Sequence, residues 1–201
     1  MESNQEKKQS TKQTSPRISS TVLLDFSFKT LLCVGDMVDE VKKGEITGLK
    51  RSEESGKLLC TALRLNNNNI GDLQDLGETL EALFDNPDTI EWIDLSFNDL
   101  SCITGLLDKL KNLKRIYLHG NTIDKIQEVN KLAVLPDLKS LTLHGNPIES
   151  EKGYRQFVLS TLPSLKTLDF SGVTKQDRST AETWKRMYGG LKRNRRTKSI
   201  A

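Results

Sequence analysis

Leu63-Arg64-Leu65-Asn66-Asn67-Asn68-Asn69-Ile70 is the first of four related stretches that decide the fold of this chain. Its pattern, Leu-x-Leu-x-x-Asn-x-Ile with Leu and Ile interchangeable, returns at Ile93–Leu100, Ile116–Ile123 and Leu141–Ile148. The asparagines occupy positions 68, 98, 121 and 146, so successive copies are 30, 23 and 25 residues apart. A repeat of this length predicts a solenoid of stacked coils rather than a globule around one central core.

Each position of the pattern has a physical reason. The two apolar residues of Leu-x-Leu lie two positions apart, so in an extended strand both face the interior while their neighbours face outward. A further interior residue is expected three positions earlier, at Cys60, Ile90, Leu113 and Leu138. The asparagine amide carries donors and an acceptor that can satisfy backbone groups in the bend after the strand. We therefore expect an internal structural column made of Asn68, Asn98, Asn121 and Asn146.

In this pattern the chain resembles the leucine-rich-repeat family, over about residues 59–173. The resemblance implies an α/β fold: a right-handed leucine-rich-repeat solenoid with a parallel concave sheet, a helical or irregular convex side and a C-terminal cap. A fifth unit, Leu165–Val173, keeps the strand but has Val173 in place of the asparagine, as a terminal repeat can. The segment from Tyr154 to Asp169 is similar to the cap of small intracellular members, which include phosphatase-regulatory, spliceosomal, tubulin-chaperone and ciliary proteins.

The chain divides further by composition and periodicity. We expect residues 21–57 to form an N-terminal arm and a loop; the arm is either a cap, or a hairpin joined to it, or a peptide that docks on a partner. Helical returns are predicted near 73–84, 103–110 and 126–135. The predicted divisions, in chain order, are a disordered tail at 1–20, the arm and loop at 21–57, the repeat domain at 58–173 with its cap helix at about 151–162, a helix at 174–188 and a basic tail at 189–201.

Composition favours an intracellular protein. No stretch approaches the roughly 20 apolar residues of a membrane helix, and the polar residues 1–20 do not resemble a signal peptide. The three cysteines, Cys33, Cys60 and Cys102, have no metal-binding spacing. Secreted members of the family have clustered terminal cysteines, which are missing here, and this favours a reducing compartment. We predict a cytoplasmic location and no membrane contact, and the resemblance to ciliary members adds the cilium axoneme.

No catalytic or cofactor motif is present. His119 and His144 each lie two residues before a repeat asparagine, so they should stack on adjacent strands roughly 5 Å apart. Two histidines could bind a metal, but no third ligand is evident, and neither histidine has a Ser or Cys partner at a nucleophile spacing. The glycine motifs that bind phosphate are also missing. We therefore predict that the protein is not an enzyme and uses no cofactor or metal.

Function is predicted to lie on the outward face of the strands, where side chains do not hold the fold. Two large aromatic residues beside an aspartate, followed by Arg-Tyr-His, have the composition of an interface hot spot. The alternative is that Trp92 or Phe97 folds back over its neighbours. The predicted partner-binding residues are Arg64, Trp92, Asp94, Phe97, Arg115, Tyr117, His119, Thr142 and His144.

The C-terminal end of the chain is basic, with seven Lys or Arg and no acidic residue from Lys185 onward. It could bind an acidic protein surface such as that of tubulin, contact a nucleic acid or remain a solvated end. The tail lacks interleaved aromatic residues, which argues against single-stranded nucleic acid. The charges assigned to an electrostatic role are Lys192, Arg193, Arg195, Arg196 and Lys198.

These observations lead to one principal hypothesis. The chain is expected to be a non-catalytic protein-interaction scaffold, a monomeric subunit of a larger ciliary or axonemal, or cytoplasmic, assembly. The alternative is a regulatory subunit of a phosphatase-type enzyme, ahead of an RNA-associated nuclear scaffold.

Overall fold

The structure, a computed structural model, describes residues 21–103 and 110–188. The predicted tails at 1–20 and 189–201, and most of the return predicted at 103–110, lie outside the described residues. One sheet contains seven strands in chain order. The first six are parallel neighbours and the last pair is antiparallel. The strands are β1 (Leu23–Asp25), β2 (Ala62–Arg64), β3 (Trp92–Asp94), β4 (Arg115–Tyr117), β5 (Ser140–Thr142), β6 (Thr167–Leu168) and β7 (Ser171–Gly172).

The register of the sheet aligns equivalent positions of the repeats. The first apolar residue of each pattern, for example Leu63 in β2 and Ile93 in β3, stands directly beside its counterpart on the next strand. These residues and the second apolar residues of the pattern are fully buried, and they belong to one continuous apolar core. The predicted α/β leucine-rich-repeat solenoid is thereby confirmed.

Short helices return the chain between strands. The longest spacing, between the first two asparagines, contains both an α-helix at Leu76–Leu83 and a 3-10 turn, whereas the return at 126–134 is a 3-10 helix throughout. The elements are α1 (Met37–Lys43), α2 (Leu76–Leu83), α3 (Tyr154–Thr161), α4 (Lys175–Tyr188) and 3-10 helices at Val34–Asp36, Pro87–Thr89, Ile126–Val134 and Pro147–Ser150.

The repeat asparagines are buried and each one bonds two successive coils. The Asn98 Nδ2 donates to the carbonyls of Leu65 in the preceding coil (3.0 Å) and Leu95 in its own (3.1 Å). Its Oδ1 accepts the N–H of Ile70 at 3.1 Å. Asn121 and Asn146 repeat this arrangement. Each asparagine therefore completes the bend of the coil before it.

The solenoid starts one coil earlier than the predicted residue 58. β1 pairs in parallel with β2, so the arm is neither a hairpin nor a separate peptide but a coil of the solenoid. Leu24, Phe26 and Leu31 are buried at the apolar positions of the pattern, with Lys29 at the asparagine position. Asn68 of the next coil donates to the Phe26 carbonyl and accepts the N–H of Lys29 and Leu31. A repeat asparagine bonds the coil that precedes it, and residues 21–22, the part of the chain described before β1, form no such coil.

At the other end the fifth unit departs from the prediction. Its strand stops at Leu168, and Asp169 and Phe170 take left-handed φ values of 51° and 59°, which reverse the chain into the antiparallel β7. In the inner repeats the strand-end N–H groups bond the next strand's carbonyls, as Leu118 N–H does with Thr142. Here the Asp169 carboxylate replaces that carbonyl, because its Oδ1 accepts Leu143 N–H (2.7 Å) and His144 N–H (3.0 Å).

α3 and α4 close this end of the solenoid. The Arg178 guanidinium donates to the Leu159 carbonyl in the last turn of α3 and to the Leu162 and Leu165 carbonyls after its end. Arg155 makes two hydrogen bonds of 3.0 Å to Asp177, and this pair, with the Thr174 bonds, holds the pKa of Asp177 far below its usual range. α4 matches the predicted helix, whose start is set by the reciprocal Thr174 and Asp177 cap.

Candidate functional site

The strand face is the side of the sheet that carries the residues alternating with the core positions of β2 to β5. The nine predicted partner-binding residues lie on this face or at the strand ends, but they differ in exposure. Phe97 is 53% exposed and Arg115 is exposed, while Asp94 and Thr142 are buried. The partly buried members are Arg64, Trp92, Tyr117, His119 and His144.

Six aromatic rings on this face form a connected group, the ring cluster, made of Trp92, Phe97, Tyr117, His119, His144 and Phe170. Trp92 meets Tyr117 edge to face, with ring centroids 5.7 Å apart. Phe97 meets His119 at 5.1 Å in the same manner. Contacts of this geometry contribute roughly 0.5–1.5 kcal/mol beyond the area they bury. The cluster spans strands β3 to β6, so it presents one aromatic surface across four coils.

Phe170 was not among the predicted site residues, yet it lies at the centre of the ring cluster. Its ring is 5.5 Å from Tyr117, 5.6 Å from His119 and 5.6 Å from His144, and the residue is 60% exposed. Repeat periodicity assigned Phe170 to the core, as the second apolar residue of the fifth unit. The left-handed turn at Asp169 and Phe170 moves it onto the strand face instead. The one sequence signal was the missing asparagine at Val173, which marks the break in the repeat.

Asp94 and Thr142 were predicted to bind a partner, but both side chains are buried. The Asp94 Oδ1 accepts the N–H and hydroxyl of Ser96 at 3.0 and 2.6 Å, so this carboxylate holds the strand end. Thr142 is 0% exposed, and its hydroxyl lies 2.8 Å from His119 Nδ1. Its neighbours across the sheet, Tyr117 and His119, are the rings that Phe170 contacts. Asp94 thus holds the strand end and Thr142 contacts the His119 ring, and neither side chain is exposed to a partner.

Phe97 has a backbone conformation that is costly for its residue type. The position before each repeat asparagine has positive φ, with 58° at Asn67, 53° at Phe97, 68° at Gly120 and 69° at Gly145. Gly and Asn tolerate this region, whereas a bulky residue loses about 1–2 kcal/mol there. The Phe97 ring also needs its neighbour to be glycine, because a Cβ on Gly120 would stand 2.6 Å from the ring. Strain kept at an exposed aromatic residue points to a functional surface.

Trp92 is more enclosed than Phe97. The Arg64 guanidinium lies over the Trp92 ring, with Cζ 5.4 Å from the ring centroid, and Arg64 also pairs with Asp25 at 2.9 Å. The Trp92 Nε1–H is buried and has no hydrogen-bond partner among the described residues. The exposed Arg115 stands next to Trp92 on β4. Trp92 thus partly folds onto its neighbours, whereas Phe97 and Phe170 form the open part of the cluster.

The two histidines stack almost in parallel, with ring centroids 4.7 Å apart and an interplanar angle of 8°. Burial, together with the neighbouring His144, lowers the pKa of His119 from its usual value. His144 Nδ1 is 3.4 Å from Asp169 Oδ1. Within the described ranges, His, Cys, Asp and Glu side chains form no group of three that could hold a metal ion.

We predict a modest loss of stability on mild acidification that depends on His119. Because the folded-state pKa is lowered, the unfolded chain binds more protons near its own pKa of about 6.5. Stability is therefore complete above that pH and falls as the pH decreases through the folded-state pKa. Thermal melts at about pH 7.5 and about pH 5.5 should show a larger decrease in Tm for the wild type than for His119→Gln, by a few degrees. Equal decreases in the two proteins would contradict this role of His119.

Cys60 lies in the apolar core and not on the strand face. Cys60 is buried at its predicted core position, and burial raises the pKa of its thiol to about 12; it behaves as a small apolar residue. No helix in the described part of the chain has the length and apolar character to cross a bilayer.

Comparison with known proteins gives the same fold family. A sequence profile described as leucine-rich repeat matches residues 65–201. Leucine-rich repeat-containing protein 51 of Macaca mulatta is 56% identical over 164 residues, or 82% of this chain and 85% of that protein. The Homo sapiens protein of the same name is 55% identical over 164 residues, with the same coverage.

A solved structure is similar in fold. A chain of the Drosophila melanogaster SNF/U2A' complex matches with a TM-score of 0.51 and 23% identity, covering 74% of this chain and 92% of that one. Proteins built on this repeat are typically interaction modules rather than catalysts. The profile match over most of the chain, together with relatives at this level of identity, shows that the chain belongs to the leucine-rich-repeat family.

Proposed function

We propose that this protein is a non-catalytic scaffold that holds a protein partner on the open part of the ring cluster. The observation that carries the proposal is the pair of exposed rings, Phe97 and Phe170, which contact the partly buried His119 and His144, with backbone strain retained at Phe97. Monomeric proteins rarely expose contiguous aromatic patches without a binding role. Aromatic anchors also dominate binding energy at interfaces.

The surface is preorganised for binding. Phe97 is held by Gly120, and Phe170 is held by a turn whose Asp169 side chain bonds the end of β5. Little conformational freedom is lost when such a surface binds, so a few anchors suffice. Arg115, exposed beside Trp92, adds a positive charge at the margin, where it favours partners with an acidic group nearby.

The proposed setting is a ciliary or axonemal complex in the cytoplasmic compartment. This part of the proposal is supported by the resemblance to ciliary members of the family. The basic residues Lys192, Arg193, Arg195, Arg196 and Lys198 would then bind the acidic surface of a neighbouring protein, with tubulin as one candidate.

The test uses Phe97→Gly, because glycine relieves the left-handed backbone while removing the ring. We expect the Tm to stay within a few degrees of wild type and partner affinity to fall at least about tenfold. The measurement is proximity labelling in ciliated cells, followed by capture of the enriched proteins with purified chains. Phe28→Gly is the matched control, since Phe28 is also an exposed phenylalanine with positive φ (58°) but lies on the first coil, outside the ring cluster.

Three results would count against the proposal. Axonemal neighbours enriched equally by wild type and Phe97→Gly would place the binding site elsewhere. An even cytosolic distribution without enriched neighbours would contradict the ciliary setting. Recovery of a phosphatase catalytic subunit whose activity changes on binding would favour the regulatory-subunit alternative.

A further inference from the structure

The sheet ends in different ways at its N-terminal and C-terminal edges. At the C-terminal end the sheet closes with the antiparallel β7, and α4 packs against α3 beside it. At the other end β1 is the edge strand, and the elements described before and after it add no further strand. An edge strand presents a row of unpaired backbone groups that can pair with another chain.

The hydrogen bonds of β1 show which groups remain open. The Val22 carbonyl accepts the N–H of Ala62, and the Phe26 N–H donates to the Arg64 carbonyl. Backbone polar groups alternate sides along a strand, so Val22, Leu24 and Phe26 face β2. The N–H and C=O of Leu23 and Asp25 therefore face away from the sheet, giving two donors and two acceptors along the edge.

This edge carries few of the features that prevent pairing in soluble proteins. Residues 22–26 contain no proline or lysine. The one charged residue, Asp25, is already paired with Arg64 at 2.9 Å. The same coil also exposes large apolar side chains, with Leu23 at 38%, Phe28 at 72% and Leu32 at 71%.

We propose that β1 pairs antiparallel with β1 of a second copy of this chain, with a two-fold axis at Leu24. In that register Leu23 of each copy stands opposite Asp25 of the other, and each pair exchanges both N–H···O=C bonds. The four open groups of one edge meet the four of its copy. Asp25 faces Leu23 rather than another carboxylate, so no like charges are opposed. Such self-complementarity is the requirement of a two-fold interface.

Residues 1–20 fit this edge less well than a second copy. Their sequence has Met1 and Ile18 as its only large apolar side chains, whereas a second copy supplies Leu23, Phe28 and Leu32 again. The two joined sheets would form one continuous sheet with the ring clusters on the two outer halves. The proposal thus replaces the monomeric subunit expected from the sequence with a dimer.

The first test is sedimentation velocity of the full chain from about 1 to 100 µM, because dimer formation depends on protomer concentration. We expect the mass to rise from 22.6 kDa toward twice that value. Leu23→Pro should stay monomeric over this range with a native circular dichroism spectrum, because the N–H it removes is not used by β2. Phe97→Gly, which lies outside the first coil, should still dimerise. A monomeric wild type, or a Leu23→Pro protein that dimerises normally, overturns the proposal.

The second test reports the register and does not depend on Leu23→Pro. Leu23→Cys and Asp25→Cys chains are each prepared with Cys33→Ser, which removes the exposed native thiol. Opposed residues of a hydrogen-bonded pair lie about 5.5 Å apart at Cα, within disulfide reach, whereas identical positions lie beyond the roughly 7 Å limit. Oxidation should therefore cross-link the mixture and neither variant alone. Cross-linking of a single variant, or of no sample, contradicts the proposed pairing.

Discussion

Asn98→Leu is expected to lower the free energy of unfolding by about 4 kcal/mol, the largest single effect in the solenoid. The leucine side chain is similar in size but leaves the buried Ile70 N–H without its acceptor. It also removes one of the two amide donors from each of the Leu65 and Leu95 carbonyls, which keep only Asn68 and Asn121. The orphaned N–H costs about 1–3 kcal/mol and each lost hydrogen bond about 0.5–1.5 kcal/mol. For a chain of this length we expect the Tm to fall by about 10 °C.

Urea unfolding at neutral pH measures this loss, and Asn69→Leu is its control. Asn69 adjoins the column in sequence but is exposed, so the same change there should alter stability by no more than about 0.5 kcal/mol. If Asn98→Leu costs less than about 1 kcal/mol, or if the two variants lose equally, the asparagine column does not hold the coils together.

Asp169→Ala is expected to lower the free energy of unfolding by about 3 kcal/mol and to weaken partner binding as well. The change removes the acceptor for the N–H groups of Leu143 and His144, and for the Tyr154 hydroxyl at 2.8 Å. Burial and the Asp169 carboxylate raise the pKa of Tyr154 well above its usual value, so the tyrosine remains a donor. Alanine also tolerates the left-handed backbone less well than aspartate.

Asp169→Asn tests whether the hydrogen bonds or the negative charge of Asp169 stabilise the C-terminal end of the sheet. Asparagine keeps one oxygen for the two backbone N–H groups and tolerates positive φ, so its unfolding free energy should lie close to wild type. Partner affinity should follow stability across the three proteins, since the turn that Asp169 holds also positions Phe170. An Asp169→Asn protein as unstable as Asp169→Ala would show that the charge, rather than the acceptor oxygen, closes this end.

The fold could be predicted because its signals are local and repeated. Leu63, Ile93 and their counterparts recur at fixed offsets from an asparagine, and such a pattern determines which face of each strand is buried. α4 begins one residue after the start predicted for the helix at 174–188, and the signals for it lie close together in the sequence. The first coil was left open as a cap, a hairpin or a docking peptide, because Lys29 interrupts the pattern at its most diagnostic position.

The site was predicted less completely because it depends on contacts between coils. Alternation placed Tyr117 and the histidines on the strand face, and the repeat pattern placed Phe97 at the variable position before Asn98. Alternation does not show which outward residue is covered by another, so the burial of Thr142 and Asp94 was not foreseen. Phe170 reaches the cluster only because the strand ends early and two left-handed residues turn the chain, and no periodic signal encodes that turn.

The direction in which the repeat asparagines bond has a consequence for biosynthesis. Each amide reaches back to the preceding coil, so a coil that has just left the ribosome has an incomplete bend until the next asparagine is synthesised. A nascent chain stopped after Leu118 would lack Asn121 and Asn146 and leave its last bends open, whereas loss of early residues leaves every later bend complete. Premature termination should therefore be more damaging than a late start of translation.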